Sequence, residues 1–308
     1  MRIQLRHIYY LMIAVTLMCT NEARAEVRTA LVVGNAAYHE TPLTYPVNDA
    51  KTVANVLQSL GFNVTLLMDV GRNKLRHAIR EFAKTLKEQH GVGLFYFSGH
   101  ALQIKQRNYM MPLDADIVSA FEVPDEGVDF GYAINAMIDA GNELDILMFD
   151  ASPAQPYSAK LVQINPGLAF QDVPENMLLS YSTSPNNTAA PIAAQNSEYA
   201  RHFLQYAVTP NMPIEQVYKE IRIGVEQATA GKQVPWQSSS LRQKFVFSTM
   251  SDSGAAEKSM AAAETAAWEL IKSSENIEEL QKFMQQFPTS IYKLAVQQRI
   301  RNLQRKAE

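Results

Sequence analysis

Cysteine is almost missing from this chain: there is one in 308 residues, Cys19. It lies in the first 25 residues, so a chain beginning near Glu26 has no thiol. That excludes disulfides, thiolate metal sites and a thiolate nucleophile together. Charge of one sign is also lacking. The net charge is −3 and the basic residues are scattered, which excludes the basic stripe by which proteins hold nucleic acid. A membrane-spanning run is lacking as well. The apolar stretch at 8–18 is too short to cross a bilayer. No cofactor and no metal are expected.

What is present at the N-terminus has the form of a secretory leader. A basic segment at 1–7 precedes the apolar stretch, and Ala23-Arg24-Ala25 has the small-x-small form of a cleavage site. Cleavage after Ala25 and a periplasmic or secreted location are expected. Lipidation of Cys19 is the lesser alternative, because the residue before a lipidated cysteine is normally small and here it is Met18.

Behind the leader, 47% hydrophobic and 19% charged residues give ordinary globular composition. Short apolar runs at 29–33, 62–67, 92–97, 144–149, 177–181 and 244–247 read as strands. Helical spacing separates them: Val53, Val56, Leu57 and Leu60 in a helix opened at Asn48 and closed by Gly61, a second helix at 74–88, and Ile214, Val217, Ile221 and Val225 in a later one. Strands alternating with helices predict an α/β fold, a sheet with helices on both faces, and function at the carboxyl ends of its strands. Two polar strand ends stand out, Ser98-Gly99-His100 and Asp150-Ala151-Ser152.

The predicted organisation is a leader at 1–25, a main domain at 26–249, a linker at 250–254 and a helical region at 255–308. In that last region Trp268 and Ile271, then Ile277, Leu280 and Phe283, then Ile291, Leu294, Ala295, Ile300 and Leu303 form apolar stripes. They predict a small helical hairpin whose stripes serve packing or, alternatively, a partner.

A series of ordered motifs resembles the bacterial branch of the caspase and metacaspase family. Residues 28–38 (RTALVVGNAAY) are similar to its first strand and turn, and Asn48-Asp49-Ala50 to the start of its first helix. Phe95-Tyr96-Phe97-Ser98-Gly99-His100 resembles the strand carrying the catalytic histidine. Asn108-Tyr109 and Pro112-Leu113-Asp114 follow in order. Phe149-Asp150-Ala151-Ser152 aligns with the aspartate-x-cysteine segment, and Gln233-Val234-Pro235-Trp236 with the end of the domain. His100 and Ser152 are 152 − 100 = 52 apart, close to the family's interval of about 50. The resemblance implies a caspase-like, mixed but mostly parallel sheet with helices on both faces.

It also implies roles. His100 takes the place of the catalytic base and Ser152 that of the nucleophilic cysteine. Asp49, Ser98 and Asp150 match the pocket that receives a basic side chain. Asp49 alone reads equally well as an acid favoured at a helix N-terminus. Two departures stand out. Serine replaces the cysteine, and Ala101 replaces a glycine whose N–H helps to bind the oxyanion. A hydroxyl is far less acidic than a thiol and needs an oriented base, and no acid is evident to orient His100. A caspase-like pseudo-peptidase is therefore expected, binding a protein or peptide at a basic residue. The alternative is an active hydrolase using Ser152 with His100 and preferring Arg or Lys.

Overall fold

The computed structural model describes residues 26–153, 167–188, 196–249 and 264–307, apart from 266, 270, 288 and 289, and only the backbone of 152, 153, 286, 306 and 307. The expected leader at 1–25, the expected linker at 250–254 and the segment after Pro153 lie outside the described residues.

Strand β1 (Arg28–Gly34) lies between β3 (Val92–Ile104) on one side and the edge strand β2 (Phe62–Met68) on the other. Beyond β3 come β6 (Leu144–Pro153), β7 (Met177–Tyr181) and the edge strand β8 (Trp236–Ser239). All neighbours in this row are parallel except β8, which is antiparallel to β7. The apolar runs in β1, β3 and β6 are unbroken because both faces of the sheet are covered. On one face Ala30, Val32, Leu94, Tyr96, Ile146 and Met148 meet helices α1 (Pro46–Ser59), α4 (Glu198–Ala207) and α5 (Ile214–Ala228). On the other, Leu31, Val33, Phe95, Phe97, Leu147 and Phe149 meet α2 (Arg72–Gln89) and α3 (Phe130–Ala140). Alternate residues of one strand thus feed two separate cores.

β1 stops at Gly34, opposite Ser98. β3 runs on past that point, still paired with β6 as far as Ala101, and turns back through Lys105 and Gln106, both with positive φ, into β4 (Arg107–Met110), which pairs in turn with the short β5 (Val128–Asp129). Two left-handed residues between antiparallel strands are the turn that matches the strand twist. The expected helix start at Asn48 falls two residues earlier, at Pro46, whose fixed φ suits a first helical position.

The strand expected at 244–247 is a correction. Phe245 and Phe247 are buried, which explains the alternating pattern, but only an isolated bridge joins Val246 to Pro213. The carbonyls of Val246 and Phe247 accept instead from the Arg28 guanidinium. Among the described residues the last strand is β8.

In the helical region, α6 (Ile277–Gln286) and α7 (Lys293–Ala307) close over Leu280, Phe283 and Val296, with Trp268, Ile271, Tyr292, Ile300 and Leu303 around them. The stripe expected to include Ile291 and Leu294 is shifted. Both are exposed, at 81% and 76%, because the buried phase runs through Tyr292, Val296 and Ile300.

Candidate functional site

The carboxyl ends of β3 and β6 carry two rungs of the parallel ladder. Ser98 is paired with Asp150, and two residues further on His100 is paired with Ser152. Residues two apart in a strand share a face, so both rungs lie on the side of α1 and α4. Ala101 follows within β3, opposite Met110 and Pro153. It is fully buried and is not among the residues with positive φ, so alanine fits the extended backbone here without strain.

The loop after β1 holds His100. Asn35 ties that loop down from its buried amide: Nδ2 donates to the Val70 carbonyl at 3.1 Å, and Oδ1 accepts from the Val70 N–H at 2.9 Å. Asp69 Oδ1 accepts from the N–H groups of Ala36 and Ala37, at 2.7 and 3.0 Å. The Tyr38 ring then lies 4.5 Å from the imidazole, and its hydroxyl accepts from the His100 N–H at 3.0 Å and donates to the Met111 carbonyl at 2.9 Å. A side chain at Gly99 would put its Cβ 2.7 Å from that hydroxyl, which is why glycine stands there. His100 Nε2 is 2.9 Å from the Thr41 carbonyl oxygen. A carbonyl only accepts, so Nε2 carries the proton and the neutral ring keeps its lone pair on Nδ1. The orienting group that no acid in the sequence supplied is therefore a backbone oxygen.

Asp49 and Asp150 meet on the same face. Asp49 is completely buried in the first turn of α1, and Asp150 is buried at the end of β6. Asp49 Oδ1 accepts from Asn196 Nδ2 at 2.7 Å and from the Ser197 N–H at 3.1 Å. Asp150 Oδ2 accepts from the Ser197 hydroxyl and, at 3.1 Å, from the Tyr96 hydroxyl. Ser197 also caps α4, its Oγ accepting from the Ala200 N–H at 2.9 Å. Among the described residues no ion pair reaches either carboxylate.

Burial without a cation disfavours charge. It holds the Asp49 carboxyl well above its usual range, and the Asp150 charge beside it adds to this. Burial lifts Asp150 to about 6 against the donors that favour its ionised form. A carboxyl raised on folding binds its proton more tightly in the folded state. Its contribution is complete below the unfolded value near 3.8 and is lost as pH rises through about 6. Asp145, lifted to about 6 by its own burial, acts in the same direction. Thermal melts between pH 5 and 7.5 should therefore show Asp150→Asn losing less stability with rising pH than the parent chain. Identical slopes would count against the raised carboxyl.

A sequence model of the caspase domain matches residues 27–246. The chain belongs to the caspase-domain family. The match runs from the start of β1 to the segment pinned by Arg28, so both rungs and the acid pair lie inside the caspase domain. One segment is also similar to two mammalian proteins. Mucosa-associated lymphoid tissue lymphoma translocation protein 1 of Homo sapiens is 36% identical over 98 residues, and its Mus musculus homolog is 35% identical over the same length. Each match covers 31% of this chain and 12% of the relative.

The structure thus brings Asp49, Ser98 and Asp150 together and sets His100 beside Ser152 in the caspase-domain sheet. Tyr38, Thr41, Asn196 and Ser197 escaped the sequence reading. Ser197 ahead of a helical pattern is a legible N-cap, but its second task, bridging two acids from distant segments, has no local signal. Thr41 acts through its carbonyl, which every residue has.

Proposed function

We propose that this caspase-domain protein is a secreted or periplasmic pseudo-peptidase. It binds a protein or peptide, at a basic residue, and acts as a regulator or scaffold. The observation that carries this reading is the serine at 152 in a chain with no cysteine after residue 19. The acid pair supports it, because two carboxyls that no described cation pairs favour a guanidinium or ammonium group. Peptides with Arg or Lys ahead of a fluorogenic leaving group should remain uncleaved by the purified chain. Turnover that disappears in Ser152→Ala would sink the pseudo-peptidase.

A second reading, a serine hydrolase, is favoured by one observation. The Thr41 carbonyl fixes the tautomer of His100 that a general base at Nδ1 requires. It predicts covalent labelling of Ser152 by a fluorophosphonate, at a rate that falls at least a hundredfold in His100→Ala. Absence of labelling, with a control hydrolase labelled alongside, decides for the pseudo-peptidase.

A further inference from the structure

We propose that Asn196 and Ser197 form an internal stopper for the acid pair, and that a cationic ligand binds there only when they withdraw. The inference rests on reading Asp49 and Asp150 as a ligand pocket and concerns how that pocket is regulated. Its basis is geometric. Two neutral residues, adjacent in sequence, donate to both carboxylates: Asn196 through Nδ2 and Ser197 through its backbone N–H to Asp49, and Ser197 through its hydroxyl to Asp150. These are the lone pairs that a guanidinium fork would use. Asn196 is 7% exposed and Ser197 is wholly buried, so the place is filled and closed. Ser197 also begins α4, so its withdrawal must uncap or tilt that helix.

The exchange moves a proton. The titratable groups facing the pair are Tyr96 on β3, which donates to Asp150, and Tyr199 on α4, whose hydroxyl is held by Ser180 at 2.7 Å. The neighbouring charges point elsewhere: Lys51 on α1 is exposed, and Glu198 on α4 is engaged by Arg201. The two carboxyls are buried side by side and no described cation lies between them, so with the stopper in place double ionisation is disfavoured. A bound guanidinium favours the doubly ionised pair, and a proton held by the pair leaves to solvent. Cation affinity and proton release are therefore linked, and affinity rises by up to about tenfold per pH unit below the range where the pair titrates.

The full chain, Asn196→Ala and Ser197→Gly are titrated calorimetrically with Nα-acetylarginine methylamide in two buffers of different ionisation heat. Asn196→Ala removes one donor and leaves the cap of α4. Ser197→Gly keeps the backbone donor, and glycine costs little as an N-cap. Both variants should bind about tenfold more tightly than the parent. The parent's binding heat should differ between the buffers by the release of up to one proton at pH 6. Adding Asp49→Asn to Asn196→Ala should abolish the gain. Equal affinities in all three chains would overturn the stopper while leaving the pocket standing. No binding by any of them, each folded by circular dichroism, would overturn the pocket and the stopper with it.

Discussion

Gly34→Ala is expected to destabilise the domain by roughly 3 kcal/mol, at the upper end of overpacking costs. Gly34 ends β1 where α1 begins. A Cβ built there falls 2.3 Å from the Pro46 carbonyl oxygen and 2.7 Å from the Ala50 Cβ. The first obstacle is backbone and the second sits on the helix itself, so no side chain can swing away. The helix must slide, and Asp49 lies in its first turn. The melting temperature should fall by about 6–12 °C for a domain of this size, and any ligand of the acid pair should bind more weakly. Gly61→Ala is the contrasting case. Gly61 has φ +83 with open space around it, so only the conformational cost of about 1 kcal/mol applies. Equal melting losses for the two would show that the contact with Pro46 is not what requires glycine at 34.

Arg28→Ala should cost about 3 kcal/mol, mostly by leaving carbonyls without donors. The Arg28 side chain is 14% exposed. Its guanidinium donates to the carbonyls of Leu60 at 3.1 Å, Phe247 at 2.6 Å and Val246 at 3.1 Å, and lies 5.0 Å from the centre of the Phe245 ring. It therefore does for the carbonyls of residues 246 and 247 what a neighbouring strand would otherwise do. Arg28→Lys should recover less than half of the loss, since one ammonium cannot reach three carbonyls with a planar fork. Urea denaturation measures the loss, and faster hydrogen exchange confined to the segment around 245–248 locates it. A loss below 1 kcal/mol would mean that the buried phenylalanines alone hold the segment.

The alternation of apolar runs with helical spacing was enough to define an α/β sheet, because burial of both sheet faces writes itself into continuous strands such as 92–97. The motifs ending in His100 and Ser152 located the two strand ends that carry the site. The same logic failed at 244–247. There, alternation reported buried Phe245 and Phe247 truthfully but said nothing of where their backbone hydrogen bonds go. It failed again at Ile291 and Leu294, where a helix bearing apolar residues on several sides left the buried phase undecided until Tyr292 and Val296 met α6.

The sequence by itself determined the sheet, the order of the motifs and the serine at 152. These depend on local pattern or on the identity of a residue. Only the tertiary structure decided that Thr41 orients His100 through a backbone oxygen. Only it decided that Asn196 and Ser197 sit on an acid pair drawn from α1 and β6. Those contacts join residues from 47 to 148 positions apart. Hydrogen bonds at such separations are fixed by the packing of whole elements, and no periodicity in the chain encodes them.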